Sequence, residues 1–259
     1  MGSIKYKQIS ALLGQENLKK EGNMKRVITL GIVLAVGAFA GCSKSPTEPG
    51  EGGGGGGTTP TVGYSLFAMV FKVNGASATI AQVFDSTGSF VSDAIIKIND
   101  KQLIYFNGAY YSDSVTYESG QTYNLVAIIG GDTFTTSATA PTIDDVIITS
   151  PDSGATFPAG SAIPVSWQYV GGTNDKYVMV TASNGSMETV YISDFMDGST
   201  TSHTIPGSAT DSVGVYYIQV LAGDYNTIDG LMDPDPLDKI NGSFLAVVVW
   251  DEVEINIGD

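Results

Sequence analysis

The sequence predicts an all-β protein made of two tandem β-sandwiches, and three observations predict it. From residue 64 onward, short runs rich in Val, Ile, Tyr, Phe and Thr recur about every 8–12 residues, the spacing of sandwich strands. Clusters of Gly, Asn, Asp and Ser separate the runs, and no stretch there repeats its apolar residues at helical spacing. Residues 138–144 interrupt the pattern with Pro141, which sets a boundary between a first domain at 64–141 and a second at 144–257.

In the first domain, strands are expected at 65–73, 78–84, 94–98, 102–106, 121–129 and 133–139. Ala94, Ile96 and Ile98 alternate toward one face, as a half-buried strand requires. Gly130, Gly131 and Asp132 form a short hairpin between the last two strands. The pattern of 91–99 followed by Gly120-Gln121-Thr122-Tyr123-Asn124-Leu125 resembles the carboxypeptidase-regulatory or transthyretin-like sandwiches of exported bacterial proteins.

The second domain opens with Ile147-Ile148-Thr149-Ser150-Pro151 and then Ile163-Pro164-Val165-Ser166-Trp167. Further strands are expected at 176–182, 187–193, 201–205, 216–222 and 241–250, with Asn184-Gly185 supplying a positive-φ pair for a tight hairpin. These openings, with Tyr216-Tyr217-Ile218-Gln219-Val220-Leu221-Ala222, resemble immunoglobulin-like modules of the fibronectin type III kind, whose second strand carries a core tryptophan. The resemblance implies that Trp167 is buried and that Tyr216, Ile218, Val220 and Ala222 face inward. The usual Leu-x-Pro ahead of the tyrosine is missing, so a tyrosine corner is not expected. The same signature is similar to the N-terminal module of fungal Ser/Thr-rich cell-wall proteins, which implies envelope scaffolding.

Upstream, Met24-Lys25-Arg26 precedes an apolar run at 27–40, too short for a membrane span. Phe39-Ala40-Gly41-Cys42 resembles the bacterial lipobox, which implies cleavage before Cys42 and attachment of a diacylglyceryl group to its sulfur. Cys42 is the only cysteine, so no disulfide competes for it. Two or three acyl chains make a durable anchor to the membrane, a partner this reading supplies. Ser43 stands where an inner-membrane retention Asp would be, which points to an outer-membrane lipoprotein, on the periplasmic or the surface side. Residues 1–23 do not fit a signal peptide, and translation is expected to begin at Met24. Residues 42–63 hold Pro46, Pro49, Pro60 and an unbroken glycine run at 52–57, a tether with an average reach of roughly 25 Å.

The whole chain carries a net charge of −15. Removal of residues 1–41 takes away six of the 12 Lys and Arg and two of the 27 Asp and Glu, which leaves −19. Such a field repels phosphate, so no nucleic-acid partner is expected.

The chain is poor in catalytic constellations, and no enzyme is expected. Its only histidine, His203, sits on a strand and is expected to face solvent. No Gly-x-Ser-x-Gly elbow accompanies it, and Cys and His are too few for a structural zinc. Paired Asp residues for glycoside hydrolysis are available, but small sandwiches offer edges and loop tips in place of a deep cleft. The loop at 223–240 is long and acidic, with Asp224 and Asp229 followed by Asp233, Asp235 and Asp238 on a proline-stiffened stretch. Hard oxygen donors of that kind suit calcium, so Asp233, Asp235 and Asp238 are the candidate ligands, and no other cofactor is expected. Asp144, Asp145 and Asp152 are a second acidic group. Tyr105, Tyr110, Tyr111 and Tyr225 are candidates for a carbohydrate-stacking face.

The function expected from sequence is a lipid-anchored envelope protein whose non-catalytic sandwiches serve adhesion, assembly or glycan contact. The alternatives are an accessory or enzyme of surface-polysaccharide processing, and a calcium-stiffened stalk.

Overall fold

The computed structural model describes residues 63–231 and 243–259. The lipobox, Cys42, the tether and the candidate calcium ligands Asp233, Asp235 and Asp238 lie outside the described residues.

The chain is all-β, in three sheets. The strands of the first half are β1 (Tyr64–Val73), β2 (Ala76–Asp85), β3 (Ile95–Ile98), β4 (Lys101–Gln102), β5 (Ile104–Phe106), β6 (Ala109–Ser112), β7 (Thr122–Ile129) and β8 (Asp132–Thr139). Those of the second half are β9 (Asp145–Ser150), β10 (Thr156–Pro158), β11 (Ile163–Val170), β12 (Tyr177–Asn184), β13 (Thr189–Ile192), β14 (Met196–Asp197), β15 (Ser202–Ile205), β16 (Gly214–Thr227) and β17 (Phe244–Gly258). One large sheet runs β13-β12-β16-β17-β1-β2-β6-β5, with β10 added beside β17 and β14 beside β12. Two small sheets, β4-β3-β7-β8 and β15-β11-β9, complete the set.

The large sheet takes strands from both sides of the expected domain boundary. β16 and β17 pair along their whole length, and the first half of β17 then pairs in parallel with β1, from Phe67 opposite Phe244 to Val73 opposite Trp250. Two cores form against this common sheet. One joins Leu66, Val70, Ile96, Tyr123, Leu125 and Ile129 to Leu245, Val247 and Val249 of β17. The other joins Ile163, Val165 and Trp167 to Ile218, Val220, Ile255 and Ile257. Tyr169 packs against both. β16 is also tied to β8: Thr139 N–H donates to Asp224 Oδ2 at 2.9 Å, and the Thr136 hydroxyl donates to the Thr227 carbonyl at 2.9 Å.

Strand β17 extends well beyond the expected end at Trp250. The acidic Asp251, Glu252 and Glu254 hide a period-two continuation in which Val253, Ile255 and Ile257 are buried. The expected strand at 102–106 is two strands: Leu103 is buried at a switch point, with β4 in a small sheet and β5 in the large one. The hairpin at Gly130 and Gly131 forms as expected, with φ of 60° and 95° joining Ile129 to Asp132. Asn184-Gly185 does not supply a positive-φ pair; Met187 takes φ 65°. The Asn184 side chain explains the longer loop, since its Oδ1 accepts from the N–H groups of Ser186 and Glu188.

Candidate functional site

Trp167, Tyr216, Ile218 and Val220 point into the second core, as the resemblance implies, while Ala222, buried too, belongs to the first. The Trp167 indole N–H donates to Tyr169 Oη at 3.0 Å, and that hydroxyl donates to the Thr200 carbonyl at 2.7 Å. A tyrosine corner is present despite the missing Leu-x-Pro: Tyr216 Oη donates to the Ser212 carbonyl at 3.0 Å, four residues upstream. The turn at 207–212 brings that carbonyl round without the proline, using a single 3-10 turn at Gly207–Ala209.

His203 is not solvent-facing. It shares the face of Ile205, and its Nε2 lies 2.6 Å from Tyr191 Oη, with the two rings stacked 5.8 Å apart. This contact clasps β15 of a small sheet to β13 of the large one. Partial burial holds the imidazole below its ordinary pKa, only partly offset by Asp194. A neutral ring whose Nε2 accepts from the tyrosine hydroxyl fits that environment.

Among the described residues, no group of three or more His, Cys, Asp or Glu is arranged to hold a metal. Asp144 and Asp145 are drawn to Lys72, whose ammonium donates to the Asp144 carbonyl at 2.6 Å and lies 3.9 Å from the Asp145 carboxylate. Asp251 accepts from Ile148 N–H at 2.8 Å and from Glu252 N–H at 2.9 Å. Burial nevertheless raises its pKa, with Asp145 adding to the effect.

Of the candidate sugar-stacking tyrosines, Tyr110 is a core residue. Its hydroxyl donates to the Val91 carbonyl and accepts from Ala94 N–H, both at 2.9 Å. Tyr105 packs edge-on against it at 5.1 Å, and Tyr111 is half-buried against the outer face of the large sheet. Tyr225 is different. It stacks on Phe195 at 4.6 Å and 17°, and Tyr177, 47% exposed, leans on both rings at 5.8 and 6.3 Å. Sequence inspection missed Tyr177 and Phe195 because they lie on β12 and on the 193–195 connection, about 30–50 residues from Tyr225. An open polar groove of about 630 Å³ lies at the far end of the second core, lined by Glu188, Thr189, Ser208, Asp211, Ser212 and Val213.

No protein-family profile matches the sequence, and no curated protein does. Solved structures do align with it. The fibronectin(III)-like modules of Clostridium thermocellum CbhA align at 24% identity over 40% of this chain and 93% of that one, with a TM-score of 0.22. The FN1-FN3 domains of chicken CNTN1 align at 12% identity over 74% and 67%, also at 0.22. The N-terminal four Ig domains of Dscam1 isoform 4.4 align at 10% identity and 0.21, and this chain spans about half the length of that one. The all-β sandwich architecture rests on the chain's own sheets and registers.

Proposed function

We propose that the protein is a lipid-anchored component of a bacterial cell envelope that presents its paired sandwiches on a tether, for adhesion, assembly or glycan contact and without catalysis. The observation that carries the reading is the order of parts along one chain. An apolar run ends in Phe39-Ala40-Gly41-Cys42, a glycine-rich stretch follows, and the first described strand begins at Tyr64. Cysteine is the only residue type whose sulfur accepts the lipid, and the chain has one. Cys42→Ala should therefore abolish incorporation of a fatty-acid analogue in cells and move the protein from the detergent to the aqueous phase. Label that persists in the variant contradicts the anchor.

The glycan version of the reading is favoured by the Tyr177, Phe195 and Tyr225 cluster, because half-exposed rings offer flat apolar faces to the C–H side of a pyranose. Asp194, Asp197 and Asn226 lie close by in sequence as polar neighbours. In native gels cast with soluble envelope polysaccharides, this reading expects retardation that Tyr177→Ala removes. Equal mobility of the two proteins in every polysaccharide contradicts glycan contact at these rings.

A further inference from the structure

The strand registers show what stands beside the ring cluster of Tyr177, Phe195 and Tyr225. Tyr177 is opposite Asp197 where β12 pairs with β14, and opposite Gly223 where β12 pairs with β16. Residues directly opposite in an antiparallel pair project from the same face, with Cβ atoms about 4.5–5.5 Å apart. Asp197 therefore shares the face of Tyr177, and so does Tyr225, two residues beyond Gly223. A Cβ at Gly223 would run into the Val247 carbonyl and the Val248 side chain, so only glycine fits between the two tyrosines. Tyr177 is the ring of the three that solvent reaches most, at 47%, and the stacked pair of Phe195 and Tyr225 backs it.

Asp197 is a fixed anion. Ser199 donates to its Oδ1 twice, from the hydroxyl at 2.6 Å and from the backbone N–H at 2.8 Å, and these bonds hold its carboxyl below the usual carboxylate range. Asp194, next to Phe195 in the chain, is exposed as well. Lys176, the residue before Tyr177, already has a carboxylate partner, since its ammonium lies 3.7 Å from Asp175. An ammonium placed at the rings is attracted by their negative π faces and by the carboxylate together. An acetamido group gains neither attraction, and an acidic sugar is repelled by a chain of net charge −15.

We propose that the cluster takes a glycan bearing free amines, an amino sugar without its acetyl group, with the ammonium over the exposed ring of Tyr177 and against Asp197. The inference deepens the glycan-contact reading of these rings and rests on it. The pyranose supplies the C–H face that stacks on an aromatic ring, and its ammonium supplies the charge that selects it from neutral sugars.

Calorimetry on the full chain at about pH 6, where Asp197 is ionised, tests it with β-1,4-linked hexamers of glucosamine, N-acetylglucosamine and glucose, which differ only at C2. The glucosamine hexamer should bind at least fivefold more tightly than the other two. Tyr177→Ala should weaken that binding about fivefold, while Tyr177→Phe, which keeps a π face, retains it. Asp197→Asn should lower the preference for glucosamine over glucose about threefold. Both sites are exposed, and circular dichroism checks that each variant keeps its fold. Equal affinity for the three hexamers would overturn the amine assignment and leave glycan contact standing. Failure of all three to bind would overturn the proposal, with the polysaccharide gels still deciding the broader reading. Undiminished binding to Tyr177→Ala would show diffuse attraction to an acidic chain, and hexalysine bound as tightly through Tyr177 would show a peptide ligand; either result overturns the proposal.

Discussion

Two residues define how the second core is held. Trp167 fills its centre and is also hydrogen-bonded through its indole nitrogen, so Trp167→Ala removes both packing and a bond and should cost about 3–5 kcal/mol in urea denaturation. Tyr216→Phe deletes only the hydroxyl that reaches the Ser212 carbonyl, and a loss of about 0.5–1.5 kcal/mol is expected. His203 adds a pH dependence whose sign follows from its depressed pKa. The folded state favours the neutral ring, so between the ordinary value of 6.5 and the lower folded value the unfolded chain binds more protons. Its contribution is present above 6.5 and is lost as pH falls through that window. The melting temperature should therefore drop from pH 7.5 to pH 5.5 more in the natural protein than in His203→Gln. An equal drop in both would place the titration elsewhere, while Asp85 and Asp197, held low by hydrogen bonds from Thr87 and Ser199, act only below about pH 4.

At the scale of elements, what was legible in the sequence was local. Alternation gave the inner faces of β3, β11 and β16, and Gly130-Gly131 gave one hairpin. Asn74-Gly75 and Asn107-Gly108 carry the same signal, with φ of 49° and 78° and of 49° and 92°, and join β1 to β2 and β5 to β6. Asn-Gly is the strongest short hairpin signature, because both central residues take positive φ. Gly75→Ala tests one of them cleanly. A Cβ there would meet nothing within 4 Å, so its expected cost of about 1 kcal/mol is backbone strain alone. The continuous apolar run at 244–250 also carried information: unlike an alternating strand, it signals burial on two faces, as the first half of β17 shows. The ring cluster at Tyr177, Phe195 and Tyr225 was not legible, because it depends on which strands become neighbours, and nothing local encodes the crossing of residues 193–195 over the sheet.

For the whole molecule, strands from beyond the boundary expected near residue 141 complete the first core. Leu245, Val247 and Val249 lie among residues of β1, β3 and β7, so a fragment ending at residue 143 lacks one wall. That fragment should be unfolded by circular dichroism and bind a hydrophobic dye. Because β16 and β17 contribute to both cores, the two sandwiches should unfold as one cooperative unit, and the two tryptophans report on it separately. Trp167 reports the second core, and Trp250 reports the far face of the shared sheet. Urea unfolding of Trp250→Phe and Trp167→Phe, each followed by its remaining tryptophan and corrected to the natural protein's midpoint by circular dichroism, should give coincident transitions with a single m-value. Two transitions, with one tryptophan released while the other stays buried, would show instead that the sandwiches fold independently.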